Sequence, residues 1–309
     1  MPAKHSIRWG AGLPQTFPQG PVVMAQVRAF AQRAEALQFD SLWAADMHLR
    51  MFPVLDSLSL LSYVAALTKQ VRLGTSVLIQ PVYDPIQLAR SLASLDQMSH
   101  GRLLVGVGLG TAARLYGRYG IPTEGSVARF LEGLDLMKAL WTDTDVSHRG
   151  RFWSTDRLTL HPRPLQQPHP PIWFGGRHPN VLRRAVRHGD GWMGAGISST
   201  KDFLSHTQLV RQLLAETGRD PASFQIAKRV YVCIDGDGRR AKQRLHQWFG
   251  EAYGGFTIAE GTGVAGTASE CVEGIAAVAA AQPDLILLHP ICDETEQIEA
   301  LARDVIPAL

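Results

Sequence analysis

Short apolar runs alternate with stretches of helical periodicity eight times along this chain, and that alternation restricts the fold more than any other property of the sequence. The runs occupy 7–13, 41–46, 71–79, 103–110, 172–175, 191–194, 225–234 and 285–289. Between and after them, over 22–37, 56–68, 85–98, 127–141, 180–188, 201–217, 239–252, 269–281 and 295–306, apolar residues recur every three or four positions, as on one face of a helix. Parallel strands joined by crossover helices are covered on both faces, so they read as nearly continuous apolar runs. Leu285-Ile-Leu-Leu288 and Leu103-Leu-Val105 read that way. The pattern predicts an α/β fold, a (β/α)8 TIM barrel with insertions, with an open doubly wound sheet as the alternative. A chain of 309 residues fits one such barrel, which typically needs roughly 250. A single domain over 1–309 is therefore expected, with insertions near 111–126, 146–164 and 250–266, the second of them a small β-hairpin.

Charge excludes several classes of function. With 31 basic and 28 acidic residues dispersed along the chain, a net charge of +3 leaves no nucleic-acid footprint. No uncharged apolar run approaches the roughly 20 residues that cross a bilayer, and Met1 to Arg8 has no apolar signal core, so a soluble cytoplasmic protein is expected. The three cysteines, Cys233, Cys271 and Cys292, lack metal-type spacing and read as reduced structural thiols. No phosphate-binding Gly-Lys-Ser/Thr loop, zinc-binding His-Glu-x-x-His or nucleophile elbow occurs, which removes support for a zinc enzyme or a nucleophilic hydrolase.

Chemistry is expected where strands end. His169-Pro-Pro-Ile-Trp-Phe-Gly-Gly-Arg177 runs from a short strand into paired glycines and then a helix, leaving amides at Gly175 and Gly176 beside Arg177 to grip a phosphate. Gly106, Gly108 and Gly110 strip side chains from one face of the fourth strand, either to let a flat group approach or simply to ease packing. Asp46 and His48 after the second strand form the best polar pair for moving a proton, because imidazole titrates near neutrality. His289, ending the last strand, points toward the barrel mouth in this reading.

Ser41-Leu-Trp-Ala-Ala-Asp46, Val71-Arg-Leu-Gly-Thr-Ser76, Ser99-His-Gly-Arg-Leu-Leu-Val-Gly-Val-Gly108, Pro171-Ile-Trp-Phe-Gly-Gly176 with Gly189-Asp-Gly-Trp192, and Gly266-Thr-Ala-Ser-Glu-Cys271 follow one another in an order that resembles the bacterial-luciferase-like flavin- or deazaflavin-dependent oxidoreductases. The resemblance implies a redox ring at the barrel mouth against Thr75, Ser76, Val77, Gly106, Gly108 and Gly110, with a cis peptide at Ser76-Val77 and the phosphate at Gly175, Gly176 and Arg177. It also implies His48 as proton donor or acceptor, Asp46 as its orienter, and Trp43 and His289 as walls of the substrate pocket. Many members using coenzyme F420 carry Asp-His after the second strand, and some a Glu just past the fourth; this chain has Asp46-Met-His48 and Gly110-Thr111. Hydride transfer between F420 and a small organic substrate is the expected activity. The alternatives are an FMN-dependent monooxygenase using reduced flavin and O2, served by a separate flavin reductase, and a non-catalytic cofactor-binding barrel. The resemblance further implies a homodimer.

Overall fold

The computed structural model describes residues 6–18, 20–48, 52–110, 115–253 and 261–309. In chain order the strands and helices are β1 (Arg8–Gly12), α1 (Met24–Ala36), β2 (Ser41–Ala44), α2 (Ser57–Leu67), β3 (Arg72–Thr75), β4 (Leu78–Ile79), α3 (Pro85–Met98), β5 (Leu103–Gly108) and α4 (Ser126–Thr142). There follow β6 (Val146–Arg149), β7 (Ser154–Leu158), β8 (Ile172–Gly175), α5 (Pro179–His188), β9 (Gly191–Gly194), α6 (Thr200–Glu216), β10 (Gln225–Ile234) and α7 (Gly238–Tyr253). β11 (Gly263–Gly266), α8 (Ala268–Ala279), β12 (Leu285–Pro290) and α9 (Glu294–Ala300) complete the order. All eight expected apolar runs form strand, and every expected helix is present within a few residues of its predicted ends, although the last turns from α-helical to π-helical geometry at Leu301.

The described residues group into two compact units. The first comprises 1–14, 23–43 and 173–309. Its strands are all parallel: β1 pairs with β2 and β12, β10 with β12 and β9, and β9 with β8. β10 is ten residues long, so while its start (Gln225↔Gly191) pairs with β9, its end (Tyr231↔Gly263) is left over to pair with β11. That strand lies in a segment expected to hold few core residues. Its composition, Gly-Val-Ala-Gly, has little intrinsic strand preference, and pairing with β10 supplies the order.

The second unit comprises 15–22 and 44–172. Here β5 pairs in parallel with both β3 (Leu73↔Leu103) and β4 (Leu78↔Val107). The single run expected over 71–79 is divided because the Ser76–Val77 peptide is cis, as the resemblance implied. β6 and β7 form the expected antiparallel hairpin. Asp84 caps α3 by accepting from the amides of Ile86 and Gln87, with Pro85 at the first helical position where a missing N–H costs little. Arg102 is buried, and its guanidinium donates to the carbonyls of Ser99, Val71, Ala65 and Thr68, locking the end of α2 to the starts of β3 and β5. The Ser99-His-Gly-Arg motif is therefore structural, with His100 and Gly101 both at positive φ turning the chain out of α3.

Candidate functional site

In the second unit, four side chains form one connected chain around Asp46. Its carboxylate, almost buried just beyond β2, accepts from the Ile79 amide at 2.8 Å and from the Tyr83 hydroxyl at 2.9 Å. His48 Nε2 lies 2.9 Å from the same carboxylate, off the line of an ideal hydrogen bond, and has no other partner among the described residues. His48 Nδ1 lies 2.6 Å from the hydroxyl of Tyr119, whose ring meets the imidazole edge-on. The sequence spacing Asp46-Met-His48 thus brings acid and imidazole together directly.

Both tyrosines resist ionisation. Burial raises the Tyr83 pKa, with the Asp46 charge adding to it, and the Tyr119 phenol is raised by desolvation and then by Asp46. Tyr119 is 41% exposed, so the chain of groups runs from solvent inward to a fixed carboxylate. Neither tyrosine was foreseen. They lie 37 and 71 positions from their partners, so no local spacing could have pointed to them.

The ring-contact candidates Thr75, Ser76 and Val77 lie beside this cluster in sequence and fold. Thr75 Oγ1 both accepts from the Gly106 amide and donates to the Gly106 carbonyl, each at 2.8 Å, while the Ser76 amide donates to Ala44 O. A Cβ at Gly106 would sit 1.9 Å from the Thr75 carbonyl oxygen, and one at Gly110 would strike the Ile79 side chain. Packing against Thr75 calls for glycine at 106, and at 110 a positive φ of 62° joins the packing against Ile79 in calling for it. Thr111, which follows Gly110, lies outside the described residues.

The remaining candidates belong to the first unit. Trp43 is fully buried, donates to Ser41 Oγ at 2.8 Å and packs against Trp173 with ring centroids 5.4 Å apart. His289 stands 3.2 Å from an Arg229 guanidinium nitrogen and edge-on to Tyr231. Burial and the Arg229 charge hold its pKa well below the usual imidazole range. No alanine fits at Gly12, because its Cβ would overlap the His289 ring. At the glycine turn, the Gly176 amide donates to Met193 O at 3.4 Å and the Gly176 carbonyl accepts from the Trp192 indole. His178 caps α5 through its own Nδ1, and Arg177 is exposed. Gly175 and Arg177 are thus better placed than the Gly176 amide to meet an anion.

A model of the luciferase-like monooxygenase family matches residues 10–267, and the chain belongs to that family. It is 36% identical over 152 residues to the oxygenase component of a flavin-dependent trigonelline monooxygenase of Acinetobacter baylyi, a match spanning 48% of this chain and 42% of that relative. It is also 32% identical over 232 residues to an F420-dependent glucose-6-phosphate dehydrogenase of Kineococcus radiotolerans, covering 71% of this chain and 67% of the relative. Among solved structures, a monooxygenase from Streptomyces bottropensis superposes with a TM-score of 0.84 at 24% identity, covering 97% of this chain and 99% of that one. An F420-dependent secondary alcohol dehydrogenase in complex with an F420-acetone adduct gives the same TM-score at 21% identity, covering 98% of both chains. These likenesses show the fold, a (β/α)8 TIM barrel. Members of the family are flavin- or F420-dependent enzymes, and the chain spans only about half the length of the first curated relatives it matches.

Proposed function

We propose that the chain is a coenzyme F420-dependent oxidoreductase that transfers a hydride between the deazaflavin and a small organic substrate carrying an oxidisable C–OH or its carbonyl counterpart. The observation that carries this reading is the Tyr119–His48–Asp46–Tyr83 chain, which can take up or release one proton at a partly exposed hydroxyl. A hydride acceptor needs such a partner, because alcohol oxidation removes a proton from oxygen as the hydride leaves carbon.

The residues fit that group in one specific respect. His48 presents Nδ1 to the Tyr119 hydroxyl at 2.6 Å and Nε2 to the Asp46 carboxylate at 2.9 Å, so its ring can take a proton on one side while a carboxylate faces the other. With Nε2 protonated toward Asp46, Nδ1 accepts from the Tyr119 hydroxyl. Tyr119 then takes the substrate proton on its oxygen as it passes its own to Nδ1, and Asp46, fixed by the Ile79 amide and Tyr83, stabilises the resulting imidazolium. The deazaflavin, when bound, supplies the hydride acceptor. Thr75, Ser76 and Val77, with Gly106 and Gly108 in β5 and Gly110 just beyond it, are the proposed ring contacts. Phosphate binding by Gly175, Gly176 and Arg177 is a separate proposal resting on its own unit, as is substrate contact by Trp43 and His289. A soluble, cytoplasmic homodimer is proposed with this reading; among the described residues, no helix is long and apolar enough to cross a membrane.

The second reading is an FMN-dependent monooxygenase, favoured by the 36% identity to the trigonelline enzyme, and it calls for a separate flavin reductase as partner. Parallel assays without and with O2 separate the two. Oxidation of an alcohol panel coupled to loss of the oxidised F420 absorbance supports the dehydrogenase reading, whereas substrate turnover seen only with reduced FMN and O2 refutes it.

A further inference from the structure

We propose that Cys233 and Cys292 form a reversible thiol–disulfide pair, oxidised by hydrogen peroxide or a small organic hydroperoxide. Cys233 is buried in the last turn of the β10 ladder, and Cys292 is half-buried two residues beyond β12. The two strands are already paired through Val232↔Pro290, and the Ile291 amide extends the ladder by donating to Val232 O at 3.2 Å. That register delivers Cys292 to Cys233, and their sulfurs stand 3.6 Å apart. A disulfide has its sulfurs about 2.05 Å apart, so roughly 1.5 Å of approach, within reach of side-chain rotation, makes the bond.

The surroundings divide the labour between the two thiols. The hydrogen bond between the two sulfurs, with the Arg244 guanidinium nearby, holds the Cys233 pKa below the usual thiol range, while the same bond and burial push Cys292 up. Arg244 is itself held by Asp293 at 2.6 Å. Ile234 and Asp293, the residues that follow the two cysteines, line an open cleft of about 570 Å³, and Cys292 is the partly exposed member of the pair. Cys271 is the internal contrast: as fully buried as Cys233, it makes only long contacts to the carbonyls of Cys233 and Gly266 among the described residues, and burial pushes its pKa up to about 12.

The chemistry balances with the peroxide as the sole oxidant. The Cys233 thiolate attacks one peroxide oxygen, the O–O bond breaks, hydroxide leaves, and Cys233 becomes a sulfenic acid. The Cys292 sulfur then displaces that hydroxyl. The S–S bond forms, and the thiol proton and the departing hydroxide leave as water. Two thiols lose two electrons and the peroxide is reduced to two waters.

The pair does not depend on which cofactor the protein uses, so it is tested without one. The reduced full-length protein is treated with hydrogen peroxide, its free thiols are counted with a chromogenic disulfide, and its peptides are mapped without reduction. The expected result is a fall from three free thiols to one, an intact mass lower by the two thiol hydrogens, a Cys233–Cys292 linked peptide, and full reversal by dithiothreitol. Cys292→Ser, at the half-buried position, should yield no linked peptide. Three surviving thiols, a bridge to Cys271, or sulfinic acid without a bridge would each overturn the assignment. Because the wild-type map decides alone, a variant that folds poorly leaves the test intact.

Discussion

Lys228 carries a pH dependence whose sign and size follow from its setting. It lies mid-strand in β10 with 1% of its surface exposed, its ammonium donating to the carbonyls of Ala195 at 2.6 Å and Ser198 at 2.8 Å and sitting 5.8 Å from the Phe203 ring. Burial pulls its pKa from 10.5 down to about 7; Asp202 opposes the change and Arg229 adds to it. Because the folded pKa lies below the unfolded one, the unfolded chain holds a proton between these values that the folded chain has lost. Stability therefore rises with pH across that window and is insensitive to this group below about pH 7, where both states are protonated. At about 1.4 kcal/mol per pH unit, the whole window is worth at most roughly 5 kcal/mol. The assay is urea unfolding of wild type and Lys228→Met, followed by tryptophan fluorescence from about pH 7 to about pH 10. Subtracting the variant cancels every other titrating group. The wild type should gain on the variant by up to about 1.4 kcal/mol for each unit of rising pH. A difference that stays flat, or falls, refutes the reasoning.

Replacing His48 by Ala should lower turnover by roughly 100-fold or more, measured as steady-state kcat with the preferred cofactor; unchanged turnover excludes His48 from proton transfer. Tyr119→Phe removes the exposed end of the relay and should lower kcat by roughly 10-fold or more with little change in KM, a split that loss of a packing contact would not give. Asp46→Ala leaves the Ile79 amide and the Tyr83 hydroxyl without their acceptor, and should cost about 1 to 3 kcal/mol for each in chemical denaturation. Gly106→Ala forces a methyl onto the Thr75 carbonyl, and should lower stability by about 1 to 3 kcal/mol or more, read as a drop in Tm.

Much of the architecture is written in local pattern. The parallel strands are legible because burial on both faces makes runs such as Leu285–Pro290 almost uniformly apolar, and α3 is bounded correctly because Asp84-Pro85 is a start signal with its own mechanism. β11 is not legible, since its four residues become strand only by completing the overhang of β10. The site divides in the same way. Asp46 and His48 are close in sequence and stand out by type, whereas Tyr83 and Tyr119 join them only through tertiary contacts. Gly106 looked equally like a cofactor face and a packing device, and only the position of the Thr75 carbonyl accounts for it as the latter. Cys233 and Cys292 are separated by 59 residues and meet through the register of two strands.

The central claim is that the Asp46–His48–Tyr119 cluster serves a deazaflavin. Equilibrium titration of the apoprotein with F420 and, separately, with FMN, followed by fluorescence, tests it most directly. The account predicts saturable binding of F420 that is tighter than binding of FMN. Tight binding of FMN with none of F420 contradicts it, and binding of neither removes the oxidoreductase reading altogether.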